Sequence, residues 1–224
     1  MYAATPPPSS TTSTRITTHP TLLSRRAVAV ALVAVPALWL GPRAQPESTG
    51  RATPAQSEGP FYPLIFPKDS DHDLLRNGAL NYTEGQSAWV EGRVSDLAGK
   101  PVAGAQVEIW QCDHSGHYHH PGDGGKADTR FQGFGRVTVG ADGSYRFRTF
   151  RPVAYAGRAP HIHVKVRLGA RELLTTQLYV AGEPGNNNDF LWRRLDQTGR
   201  AALTVPFNAS SDGLRARFPI VLAL

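Results

Sequence analysis

His161-Ile-His-Val-Lys-Val-Arg-Leu168 alternates polar and apolar residues without a break. In an extended chain successive side chains point to opposite faces. His161, His163, Lys165 and Arg167 therefore share one face, and Ile162, Val164, Val166 and Leu168 share the other. The apolar face must lie against a core. Two imidazoles at i and i+2 stand close enough to converge on one ion, a common way for a sheet to present a metal. The competing reading is a pair of surface histidines on a polar strand face. The tripeptide does not separate the two, so the rest of the chain has to.

Working outward, a period of two recurs at Trp89–Val94, Gln106–Trp110, Arg136–Val139, Tyr145–Phe150 and Leu174–Val180, each rich in β-branched or aromatic residues. Phe218–Leu224 supplies a late apolar strand. Asp96-Leu-Ala-Gly99-Lys-Pro101 and Ala141-Asp142-Gly143 carry the Gly, Asp and Pro punctuation of hairpins, with Gly143 at a left-handed position. Helical signal is confined to Asp73-Leu-Leu-Arg76 and Phe190-Leu-Trp-Arg-Arg-Leu195, two turns each. Many short strands with intervening turns predict an all-β fold, a β-sandwich with long loops and few short helices.

The chain has 224 residues and a formal charge of +6, from 24 Lys and Arg against 18 Asp and Glu. Residues 1–50 hold four of those bases and one acid, leaving 20 against 17 for the rest. No basic cluster remains that would mark a nucleic-acid partner. Forty per cent apolar residues suffice for one sizeable core. Met1–Pro20 is Ser-, Thr- and Pro-rich, as in a disordered tail. Ser24-Arg25-Arg26, fourteen apolar residues from Ala27 to Leu40 and then Gly41-Pro42-Arg43-Ala44 follow the pattern of an export signal, and the paired arginines resemble a twin-arginine leader. The alternatives are an ordinary secretory signal or an uncleaved membrane anchor. The expected organisation is a tail and export signal over 1–46, with one domain over 47–224 that works in the periplasm or outside the cell. Cys112 is the only cysteine, so a metal site must use His, Tyr or carboxylates.

The surroundings of the His-x-His carry more. Upstream, Arg151-Pro-Val-Ala-Tyr-Ala-Gly-Arg-Ala-Pro160 is a loop bearing Tyr155 and Arg158, and Trp110-Gln-Cys-Asp-His-Ser-Gly-His-Tyr-His-His120 leaves a strand for a loop bearing Tyr118. Together with Thr53-Pro-Ala-Gln-Ser-Glu-Gly-Pro-Phe-Tyr-Pro63, Gly104-Ala-Gln-Val-Glu-Ile-Trp-Gln111 and Leu174-Thr-Thr-Gln-Leu-Tyr179, these segments resemble the intradiol ring-cleavage dioxygenases of the protocatechuate 3,4-dioxygenase type, co-linearly over about Thr53 to Gly182. The resemblance implies a prealbumin-like sandwich holding a mononuclear non-haem Fe(III) on Tyr118, Tyr155, His161 and His163. Phenolate and imidazole suit ferric iron, and two tyrosinates with one hydroxide would neutralise it. It further implies that Tyr155 leaves the metal to take a substrate proton, and that Arg158 and Gln177 steady negative charge near the ring, Gln177 as a hydrogen-bond donor. The reaction so implied cleaves a catechol-type aromatic diol with O2 between its hydroxylated carbons, giving a cis,cis-muconate-type diacid. A homodimer or paired subunit is the implied partner.

Some residues depart from the pattern. His114, His117, His119 and His120 crowd Tyr118, either as rival ligands for this or a second ion or as a solvated loop. Arg158-Ala-Pro-His161 reverses the order of Ala and Pro found in close family members. Cys112 reads as a packed residue, and Asn186-Asn-Asn-Asp189 as a polar turn without chemistry. Gly92–Glu108 is also the strand-turn-strand phrase of non-catalytic secreted modules, so a binding module without turnover is the alternative function. A His-based zinc or copper hydrolase lacks a carboxylate beside the His-x-His. No serine-hydrolase elbow, phosphate loop or dinucleotide fingerprint is present.

Overall fold

The computed structural model describes residues 50–224, and the tail and export signal expected over 1–46 lie outside them. A small pair, β1 (Arg76–Asn77) and β2 (Leu80–Asn81), is followed by β3 (Ser87–Asp96), β4 (Gln106–Trp110), β5 (Phe134–Thr138), β6 (Ser144–Phe150), β7 (His161–Leu168) and β8 (Arg171–Val180). Two short helices, α1 (Phe190–Arg193) and α2 (Gln197–Leu203), lead to β9 (Thr204–Val205), β10 (Asn208–Ser210), β11 (Gly213–Arg217) and β12 (Ile220–Leu222).

Two five-stranded sheets result. In the first, β6 runs antiparallel to β3, while β11 and then β12 pair in parallel with successive stretches of it and β10 extends β11. Where β11 gives way to β12, a Cβ on Gly92 would run into the Phe218 carbonyl, so this position requires glycine. The second sheet has the order β5-β4-β7-β8-β9, which puts the decisive strand at its centre. Val90, Val94 and Phe147 from one sheet meet Val107, Ile109, Ile162, Val164, Val166 and Leu178 from the other in one core. Each such side chain contributes about 1.5–3 kcal/mol by leaving water. This is the sandwich that the alternation predicts.

β4 and β7 have the bounds read from the sequence. The two expected hairpin turns do another job: each carries the chain from one sheet to the other. After β3, Ser95 and Pro101 form one isolated bridge, closed by Asp96 N to Lys100 O at 2.9 Å and Val102 N to Val94 O at 3.0 Å. Gly143 has the left-handed φ of 86° expected of it. Asp73–Arg76 is not a helix. Asp71 Oδ1 accepts from Asp73 N, Asp73 Oδ1 accepts from Leu75 N, and Leu74 N bonds Arg148 O on β6. Local aspartate bonds thus compete successfully with the helix. Phe190–Leu195 yields a single turn, and α2, β9, β10 and β11 were not anticipated.

The polar face of β7 also departs from expectation. His161 and His163 are each 1% exposed and Lys165 is 3% exposed, because residues 54–63 lie across them. Gln56 N bonds Thr175 O, Pro54 O accepts from Thr176 Oγ1, Ser57 O accepts from Gln177 Nε2, and Glu58 pairs with Lys165. The surface-histidine reading therefore fails. Leu168, placed on the apolar face by alternation, is 45% exposed at the strand end. Ile162→Ala should accordingly cost about 2–5 kcal/mol in chemical denaturation, as fully buried truncations do. Leu168→Ala should stay within about 0.5 kcal/mol of the parent.

Candidate metal centre and active site

β7 supplies both imidazoles. His161 Nε2 and His163 Nε2 stand 3.2 Å apart. His161 Nδ1 lies 2.6 Å from Ala159 O, and a carbonyl accepts only, so Nδ1 carries the proton and Nε2 keeps its lone pair. Trp110, opposite His163 in the β4–β7 register, stacks on its ring at 4.8 Å and 9°. His163 Nδ1 has no partner among the described residues. Burial, with Arg158 nearby, lowers the pKa of His161 to about 4. Burial, His161 and Arg158 together hold His163 well below the ordinary histidine value. Both rings are neutral at pH 7.

The phenols arrive on loops. The loop after β4 is organised by Asp113, which is 2% exposed and accepts from Ser115 N, His117 N and Asp128 N at 2.8–2.9 Å. Tyr118 N donates to Asp123 Oδ2 at 2.6 Å, and Phe61 stacks on the Tyr118 ring at 4.6 Å. The Tyr118 hydroxyl is buried and has no hydrogen-bond partner among the described residues. Tyr155 sits on a tight turn closed by Arg158 N to Tyr155 O at 2.7 Å, across Ala156 and Gly157, whose φ angles are 44° and 76°. A positive φ at Ala156 is strained for an L-residue and costs about 1–2 kcal/mol. The turn sets Tyr155 and Arg158 side by side.

The four rings close a circuit. Centroid separations are 4.7 Å for His161–His163, 5.4 Å for His161–Tyr155, 5.0 Å for Tyr155–Tyr118 and 6.0 Å for Tyr118–His163. Burial pushes the Tyr118 phenol well above its ordinary pKa, with Tyr155 acting in the same direction, and burial raises Tyr155 as well. Such phenols hold their protons unless a cation lies against the oxygen. Two imidazole lone pairs and a partnerless phenol beside a second phenol fit a hard-to-borderline cation. Among the described residues no group of three or more His, Cys, Asp or Glu could hold a metal, so a site here has to draw on tyrosine.

The other expected residues also find places. Gln177 faces His163 across β7–β8. Its Oε1 accepts from Arg158 Nη2 at 2.7 Å, and its Nε2 donates to Ser57 O at 3.0 Å. The donor expected to face a ring is thus already engaged by the covering segment. Cys112 is buried, and burial lifts its thiol to about 12. His114 and His119 are exposed. His117 lies 3.6 Å from Asp123, and His120 Nδ1 accepts from Gly122 N.

Residues 57–223 match the family described as Dioxygenase. The protocatechuate 3,4-dioxygenase β chain of Burkholderia cepacia is 36% identical over 169 residues, covering 68% of this chain and 71% of that one. The chain belongs to the intradiol ring-cleavage dioxygenases. Hydroxyquinol 1,2-dioxygenase of Corynebacterium glutamicum is 31% identical over 205 residues, 79% of this chain but 65% of that protein, so this member spans somewhat under two thirds of some curated relatives. The dioxygenase domain of a dioxygenase carbohydrate-binding protein fusion from Streptomyces sp. SirexAA-E superposes with a TM-score of 0.63 at 35% identity, covering 78% of this chain and 99% of that domain. Intradiol dioxygenases are Fe(III)-dependent enzymes, and the donors assembled here suit that ion.

Sequence reading missed Asp113, Asp189 and the packing role of Gly59. Gly59, at φ 77°, lies so near His163 that a Cβ would stand 3.2 Å from its Cε1. No periodicity could show this, because the contact joins residues 104 apart in the chain. Gly59→Ala should destabilise the protein by about 1 kcal/mol or more through the left-handed backbone alone. Any metal held through His163 should also be retained less well, read as metal content after dialysis against a mild chelator.

Proposed function

We propose that this chain cleaves a catechol-type aromatic diol between its two hydroxylated carbons, incorporating both atoms of O2 into a cis,cis-muconate-type diacid. A single ferric ion would be held by Tyr118, Tyr155, His161 and His163. The observation that carries the reading is the closed circuit of those four rings, with the two Nε2 atoms 3.2 Å apart and one partnerless phenol beside them. Ferric iron, when bound, would draw electron density from a chelated diol and make its ring carbons open to O2.

The protein supplies the rest. Trp110 and the Ala159 carbonyl hold the imidazoles in one orientation, which avoids reorganisation during reaction. Phe61 and Trp110 exclude water around Tyr118. Tyr155 is only half-buried on its turn, so it is the phenol free to swing and take a substrate proton on Oη. Arg158 presents a fixed cation to charge developing on the ring. Its Nη1 has no protein partner among the described residues, whereas Nε and Nη2 are bonded.

Export belongs to the same reading, supported by Arg25-Arg26 ahead of the apolar run, as does pairing with a second subunit, supported by the Burkholderia relative's being a β chain. Among the described residues no helix is long and apolar enough to cross a membrane.

The purified protein, with iron quantified, should show a broad tyrosinate-to-iron absorption that shifts when catechol is added without oxygen. Tyr155→Phe should change that band and lower turnover by about 100-fold, the scale of a lost proton-transfer group. A protein that stays colourless after iron reconstitution would refute the proposal.

A further inference from the structure

Asp189 is fully buried and lies outside every segment that pointed to the metal centre. It ends the polar turn before α1, where an aspartate is an ordinary helix cap, and its Oδ1 does accept from Leu191 N at 3.0 Å and Trp192 N at 3.1 Å. Capping uses only part of it. Oδ2 accepts from Arg158 Nε at 2.7 Å and from Ala159 N at 3.0 Å, and Oδ1 also lies 3.4 Å from Arg158 Nη2. The carboxylate therefore ties α1 to the two residues that lead into His161. Ala159 is the residue whose carbonyl fixes the His161 tautomer.

The guanidinium is held from more than one side. Nη2 donates to Gln177 Oε1 at 2.7 Å and approaches the Tyr179 hydroxyl at 3.3 Å. That hydroxyl lies 3.0 Å from both Gln177 Oε1 and Gln56 Oε1 and gives its proton to one of them. Gln56 belongs to the segment covering β7. Nε and Nη2 are thus spoken for, and Nη1 is the guanidinium nitrogen without a protein partner among the described residues. A guanidinium is planar, so fixing one edge fixes the direction of the remaining nitrogen.

We infer that Asp189 is a positioning residue: it clamps one edge of Arg158 so that only Nη1 is offered to the reacting ring, and it locks that arginine to the backbone carrying His161. The inference rests on the dioxygenase reading for what Nη1 meets, but the clamp itself does not. A merely structural aspartate would affect folding whatever occupies position 158, whereas a clamp has effects that depend on the arginine.

The test has two arms. In the first, the Arg158 Nε–H of the metal-free wild-type protein is followed by nitrogen-15 NMR. A resolved, slowly exchanging signal is expected, and it should be lost in Asp189→Asn. A rapidly exchanging Nε–H in the wild type would overturn the clamp, and this arm decides even if the variant does not fold. In the second, Asp189→Asn, Arg158→Leu and the double variant are compared for kcat and KM on catechol at equal iron content. With Arg158 present, Asp189→Asn should lower kcat by about 10- to 100-fold, the range for outer partners of a metal site, with little change in KM. In the Arg158→Leu background the same change should cost less than about twofold, by the logic of the mutant cycle. Equal losses in both backgrounds would overturn the positioning role. Absence of turnover in the wild type would instead sink the dioxygenase reading and leave the clamp to the NMR arm.

Discussion

The structure turns on the burial of a polar strand face. One side of β7 is committed to the core by Ile162, Val164 and Val166, and its opposite side carries two imidazoles and an ammonium group that solvent would ordinarily claim. Residues 54–63 remove them from water. An unpaired buried charge is costly, on the scale of several kcal/mol per ion, and Lys165 is accordingly surrounded by Glu58, Glu172 and the Tyr62 ring 3.8 Å from its Nζ. Tyr62 in turn donates to Glu108, which pairs with Arg136. This charged network lets the covering segment lie close, and close cover keeps both histidines neutral, with their Nε2 atoms turned towards each other.

Much of this was legible. Alternation over His161–Leu168 and Gln106–Ile109 places both strands, and the apolar half of each, Leu168 excepted, forms the core. The structure brings Tyr118, Tyr155, His161 and His163 together, with Arg158 and Gln177 beside them. What escaped was non-local. Alternation assigns faces without saying what covers them, so the seal over His163 and Lys165 was invisible. The turns at 96–101 and 141–143 have hairpin chemistry, yet the pairing partners of β4 and β6 decided which sheet the chain entered. Asp189 looked like turn punctuation because a carboxylate's partners, 30 and 31 residues away, leave no local mark.

The same non-local contacts weigh against the competing readings. A secreted binding module would need none of the tyrosine, histidine and arginine contacts that meet at this one end of β7. A zinc or copper hydrolase would call for a carboxylate free to act beside the His-x-His, and the buried Asp189 is already bonded to Arg158 and three backbone N–H groups. The family match over residues 57–223 agrees with the site chemistry.

The central claim is that two tyrosines and two histidines meet at one iron. Resonance Raman spectroscopy of the iron-loaded protein, excited within its visible band, addresses it most directly. The account predicts ring vibrations from two distinct tyrosinates, one set vanishing in Tyr118→Phe and the other in Tyr155→Phe, with both retained in His119→Ala. Iron bound without tyrosinate vibrations, or a spectrum unchanged by either tyrosine substitution, would contradict it.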